Sequence, residues 1–226
     1  SKNYWRREYF PEYKAGRRKS RETSSHDWND IFECLNAIKS EIRENFPYKV
    51  LEVYGAEADD IIAALCGELE FDNGKTLILS GDKDFIQLHR FKNVKQYSPI
   101  TKKFINGEDP TEYLYQHILK GDSSDGVPNV LSPDNTFVDG LRQRPLSKKK
   151  ISEWAGPLCE QVLPNDELKR NYQRNKKLID LQETPKELHL ECIRTYQDAP
   201  EGDRSKLLNY FIKNRLNDLM ENIGDF

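Results

Sequence analysis

Apolar side chains at Ile31, Leu35, Ile38 and Ile42 fall three or four residues apart, the period of one helix face. Ser24 or Ser25 is placed to cap that helix, which runs to about Phe46 and ends at Pro47, so the pattern predicts an amphipathic packing helix. Val50-Leu51-Glu52-Val53 reads as a short strand. A helix opens within Glu57-Ala58-Asp59-Asp60 and continues through Ile61-Ile62-Ala63-Ala64-Leu65, a turn falls at Asp72-Asn73-Gly74, and Thr76-Leu77-Ile78-Leu79 reads as a buried strand. Strand, helix and strand make a βαβ unit, whose functional groups gather beyond the carboxyl ends of the strands. Val94 to Tyr97 and Lys103 to Ile105 follow as short strands, and Asp109-Pro110 starts a helix to about Leu119. Leu131 to Leu146 is a loop or short hairpin, Lys148 opens a helix, and Glu167 to Leu181 is a charged helix. Leu207, Leu208, Phe211, Leu216, Leu219 and Met220 form a last helical stripe, read first as core and second as a docking strip for a sliding clamp or single-strand-binding protein.

The expected fold class is therefore α/β, a parallel sheet flanked by helices with a mostly helical carboxyl-terminal region. Composition changes that picture little: 226 residues with 36% hydrophobic, 32% charged and 11% aromatic side chains describe a polar protein with a real core. The longest apolar runs fall short of a membrane span and no signal peptide opens the chain, so a cytoplasmic protein is expected, in the host cytoplasm if phage-encoded. Four cysteines lack metal or disulfide spacing and are expected to be reduced and mostly buried.

Charge changes it more. The net charge of -3 hides a basic stretch between Lys2 and Arg21, where Arg6, Arg7, Lys14, Arg17, Arg18 and other cations are interleaved with Tyr4, Trp5, Tyr9, Phe10 and Tyr13. Cations neutralise phosphates and aromatic faces stack on unpaired bases, so Tyr4, Trp5, Arg6 and Arg7 are candidate contacts for a single strand; the plainer alternative is a solvated arm. Lys148, Lys149 and Lys150 oppose the dipole of the helix they begin, and either face solvent or meet a phosphate backbone.

Three acidic groups complete the pattern: Glu57, Asp59 and Asp60; Asp82 and Asp84; Asp122 and Asp125. Singly, each has an ordinary reading as a helix first turn, a cap or a polar loop. Together they would repel one another without a cation, and hard divalent ions take such oxygen ligands. Two ions about 4 Å apart can hydrolyse a phosphodiester between them. Metal-dependent phosphodiester hydrolysis explains both the acids and the basic arm, whereas calcium storage leaves the arm unexplained.

The ordered succession PEYKAGRR, EADD, SGDKDF and KGDSSDGVP resembles the flap endonuclease and 5′-nuclease superfamily, most closely its T-even phage ribonuclease H branch, over nearly the whole chain. The resemblance implies a PIN-like 5′-nuclease core. It also implies that the seven carboxylates are ligands or outer supports of magnesium, two ions with manganese as a substitute, and that Lys14, with Arg17 and Arg18 nearby, contacts the scissile phosphate. Residues 1–24 would be a basic arch segment, 25–120 a partial metal-binding core, and 121–226 a helical region for duplex binding and packing. The implied activity is 5′ to 3′ exonuclease and flap endonuclease, removing primers and flaps in replication. The implied partners are branched or nicked DNA and RNA/DNA hybrid with a 5′ single strand, and no membrane. Two departures stand out. The family's two early strands, each ending in Asp, precede the motifs seen here, so part of the core is expected to be missing; and Leu131 to Lys150 replaces a glycine-rich, potassium-binding element. The rival readings are a nucleic-acid-binding or assembly fragment inactive without that part, and a PIN-type ribonuclease.

Overall fold

A computed structural model describes residues 4–71 and 74–226; side chains at 18–20, 70 and 71 lie outside the description, as does most of the turn expected at Asp72-Asn73-Gly74. The chain forms two compact units, one of residues 1–20 and 53–193, the other of residues 21–52 and 194–226.

The first unit holds a small mixed sheet. Strand β1 (Thr76–Leu79) pairs parallel to β2 (Val94–Ser98), Thr76 opposite Val94, and β2 pairs antiparallel to β3 (Lys103–Phe104). β1 is an edge strand: Ile78 is buried, while Leu77 and Leu79 are exposed. The strand expected at Val50 to Val53 does not form, because those residues find no sheet partner among the described residues; the βαβ reading reduces to helix α4 (Ala58–Phe71) leading into β1. After β1 a 3-10 helix covers Lys83–Arg90, and Phe85 and Leu88 pack with Cys66, Ile78, Val94 and Leu181 as one core cluster.

Helix α1 (Trp5–Tyr9) precedes α2 (Gly16–Glu22) at the amino end. Helix α5 (Pro110–Lys120) carries Asp109 as its amino cap and proline at its first turn, as expected. Helices α6 (Lys148–Trp154), capped by Ser147, α7 (Cys159–Val162), α8 (Asp166–Ile179) and α9 (Lys186–Asp198) follow. Phe10, Tyr13, Leu119, Val127, Tyr172 and Ile179 belong to a second cluster that joins the amino-terminal segment, α5 and α8.

The second unit contains α3 (Trp28–Asn45), α10 (Leu207–Lys213) and α11 (Asn217–Glu221). Asp27, not Ser24 or Ser25, caps α3, its carboxylate accepting from Asn29 and Asp30 N–H. The helix is real, but the packing role is corrected: none of its residues is buried, and Leu35 and Ile38 are 55% and 45% exposed. The unit is held instead by aromatic edges. Phe46 meets Tyr210, Phe211 and Phe226 at 5.5, 5.8 and 5.8 Å. The terminal stripe is divided: on α10 Leu207 and Phe211, one turn apart, are buried while Leu208 is exposed, and past Arg215 at φ 55° Leu219 on α11 is exposed as well. Cys66, Cys159 and Cys192 are buried free thiols and Cys34 is exposed.

Candidate metal centre

The seven carboxylates separate into neutralised and uncompensated groups. Glu57 and Asp60 stand at the start of α4, where the Asp60 carboxylate accepts the Glu57 backbone N–H at 2.9 Å, closing the first turn. The next atoms around them are cationic. Arg6 is 2% exposed and spans Asp60 through both terminal nitrogens, at 2.9 and 2.8 Å, while reaching Glu57 at 3.1 Å and the Leu178 carbonyl at 2.8 Å. Asp60 also accepts from Trp5 Nε1 and the Thr184 hydroxyl, and Glu57 from the Tyr13 hydroxyl and Lys14 Nζ. Burial alone would favour neutral Arg6, but the hydrogen bonds and charge of Asp60 outweigh it and hold the guanidinium protonated.

This corrects the sequence reading of the arm. Trp5 and Arg6, expected to face a single strand, are buried because the two carboxylates of α4 draw them inward. Arg7 turns its guanidinium to the carbonyls of Tyr13 and Lys14 and so braces the turn into α2. Tyr4 is half-buried beneath Lys14. Lys14 adopts φ 56°, an unusual conformation for a side chain with a Cβ, fixed by its N–H bond to the Asp125 carbonyl at 2.7 Å. Its Nζ lies between Glu57 and Asp125, and Arg17, 46% exposed, pairs with Asp125 from outside. Arg18 has its side chain outside the described residues. Lys148, Lys149 and Lys150 are exposed on α6, with Lys150 over the Trp154 ring.

Of the remaining acids Asp125 alone has such partners among the described residues, Lys14 and Arg17. Among the described residues, Asp59, Asp82, Asp84 and Asp122 are ion-paired to no lysine or arginine. Asp82 caps the 3-10 helix after β1, accepting from Asp84 N–H, which leaves Asp84 to face the other acids. Asp122 and Asp125 sit on a tight loop closed by reciprocal bonds between Asp122 and Val127. Gly121 at φ 69° makes that closure possible, since a Cβ there would lie 2.6 Å from the Pro128 carbonyl carbon. Burial, then the charges of Asp82, Asp122, Asp59 and Asp125, push Asp84 up to about 7; burial, then Asp82, pushes Asp59 up to about 6. Asp59, Asp84, Asp122 and Asp125 line a common cleft with Tyr13 and Arg6.

His117, which the sequence reading passed over, joins this group. One ligand atom from each of Asp84, His117 and Asp122 lies within 4.8 Å of the other two. Oxygen donors with one imidazole, carrying more negative charge than the surrounding cations neutralise, fit a divalent ion. The sequence reading likewise missed the clamp behind the ligand loop. Asn175, fully buried, donates to the carbonyls of Ile118 and Pro128 on either side of the loop, and Arg174 adds a bond to Pro128. Polar residues at interior positions of an otherwise amphipathic α8 were the available signal.

Residues 1–115 match the family described as 5′-3′ exonuclease, N-terminal resolvase-like domain, and residues 110–226 match T4 RNase H, C terminal. The chain is 35% identical over 230 residues to Ribonuclease H of Enterobacteria phage T4, covering 99% of this chain and 75% of that protein. Its fold is similar to the T5 5′-exonuclease solved with zinc, at TM-score 0.65 and 20% identity, covering 87% of this chain and 80% of that one. It is also similar to the bacteriophage T5 flap endonuclease solved in a complex with DNA and metal ions, at TM-score 0.64 and 19% identity, covering 85% and 78%.

Proposed function

This chain belongs to the 5′-3′ exonuclease family, as a homologue of the phage T4 ribonuclease H and a member of a family of metal-dependent nucleases, and we propose that it is a magnesium-dependent 5′ to 3′ exonuclease and flap endonuclease. The substrates in this reading are branched or nicked DNA and RNA/DNA hybrid bearing a 5′ single strand, cleaved during primer and flap removal. The observation that carries the reading is the group of carboxylates left without a lysine or arginine beside a rim of cations.

Asp59, Asp82, Asp84, Asp122 and Asp125 are the residues that would hold magnesium, two ions with manganese as a substitute. An ion held there would supply positive charge against the scissile phosphate and would polarise the attacking water. Glu57 and Asp60 act from behind: with Arg6 and Lys14 they fix the start of α4 and so the position of Asp59. Arg17 is the half-exposed cation at the edge of the acids and is placed to meet the phosphate; Lys14, beneath it, holds Asp125 in place and steadies the charge. Tyr4, half-buried at the same edge, offers a face to the unpaired strand, and Lys148 to Lys150 offer charge to a duplex backbone. The domain roles proposed are an arch segment at 1–24, a PIN-like 5′-nuclease core at 25–120 and a duplex-binding and packing region at 121–226.

Cleavage of a 5′-flap DNA compared with plain single-stranded RNA, in magnesium and in chelator, tests the proposal. Magnesium-dependent release of the flap with little action on the RNA is expected. Preference for the RNA supports a PIN-type ribonuclease, and binding without cleavage supports an assembly role.

A further inference from the structure

His117 lies on α5, four residues before Gly121 and one turn after Tyr113. Its Nδ1 is 3.3 Å from the Tyr113 hydroxyl, and the rings are 5.5 Å apart, so the imidazole is held from its own helix. Its Nε2 is buried, has no hydrogen-bond partner, and stands 3.6 Å from Asp84 Oδ1. That gap is too long for a hydrogen bond. Two ligand atoms each about 2.1 Å from one ion stand about 3.0 Å apart at a right angle and about 4.2 Å apart across it. The observed spacing falls in the ligand range, and Asp122 contributes the third atom of the group.

We propose that His117 Nε2 is a nitrogen ligand of the divalent ion held by Asp84 and Asp122, with Tyr113 orienting the ring. The inference rests on the proposed metal-binding role of the acids and adds to it a mixed donor set. Metal-ligating histidines characteristically engage an oxygen through the second ring nitrogen, the place Tyr113 occupies here. Imidazole is a better donor to Mn2+, Co2+ and Zn2+ than to Mg2+, so His117 shifts the selectivity of the centre toward the transition metals.

Electron spin echo envelope modulation of the full chain loaded with Mn2+ tests this without any turnover. The wild type should show coupling to an imidazole nitrogen, and His117→Gln should lose it while keeping its circular dichroism. Calorimetric titration of the same two proteins should show Mn2+ affinity falling about tenfold and Mg2+ affinity falling less. Bound Mn2+ with no nitrogen coupling in the wild type would overturn the proposal, and that spectrum alone decides it if the variant does not fold. Nitrogen coupling that survives in His117→Gln would overturn it as well. Failure of Mn2+ to bind at all would instead remove the metal-binding reading beneath it.

Discussion

Replacing Arg6 with methionine removes the cation at the centre of the amino-terminal network while keeping an unbranched side chain of useful length. In the wild type, Asp60 is 1% exposed and accepts two bonds from Arg6, one from Trp5, one from Thr184 and one from the Glu57 N–H. Without Arg6, three neutral donors remain around a buried carboxylate that has lost its paired charge. The Leu178 carbonyl loses its bond at the same time. Breaking one partner of a buried pair costs about 3–5 kcal/mol, so urea unfolding of Arg6→Met should show a loss of that order. Adding Asp60→Leu should recover part of it, because the orphaned charge is then removed. A surface arginine that contacts nucleic acid would change stability by less than about 0.5 kcal/mol. Arg6→Met at wild-type stability would refute the buried network and restore the arm as a strand-binding segment.

Further outcomes follow from the acids and their supports. Asp84 and Asp59 hold protons in the folded chain up to about pH 7 and 6, above the ordinary carboxylate range, so the folded state binds more protons than the unfolded one between about pH 4 and 7. Metal-free stability should therefore fall as pH rises through that window, and stabilisation by added Mg2+ should grow; urea melts at several pH values check both signs. Asp84→Asn should raise the melting temperature of the metal-free protein and abolish the rise caused by Mg2+, both read by calorimetry. Asn175→Ala leaves the carbonyls flanking the ligand loop short of donors, at a cost of about 2–3 kcal/mol. Its Mn2+ affinity should fall further than that of Asn171→Ala, whose amide serves Val130 and Ser132 beyond the loop.

Local signals in the sequence carried well where one residue type has one use. Asp109-Pro110 starts its helix, Thr76–Leu79 is a strand, and Asp59, Asp84, Asp122 and Asp125 from three separate motifs line one cleft. Periodicity could not say what covers a helix face, so α3 has the predicted stripe and no buried residue. A strand needs a neighbour, and Val50–Val53 has none among the described residues. Most of all, charge density could not tell which acids would find cations. Glu57 and Asp60 looked equivalent to Asp59, yet the structure gives the first two to Arg6 and Lys14 and leaves Asp59 beside Asp82. Asp60→Asn, which as a pure ligand change would spare the fold, here weakens a buried ion pair and should lower stability as well as activity.

The central claim is that the uncompensated acids, and not the neutralised pair, form the centre that cleaves a phosphodiester. Its most direct measurement is the single-turnover rate on a 5′-flap DNA for wild type and Asp122→Asn as Mg2+ is titrated. Cleavage should require Mg2+ in the wild type and fall about a hundredfold or more in the variant at saturating metal. Cleavage at equal rates in both proteins, or cleavage that persists in chelator, would contradict it.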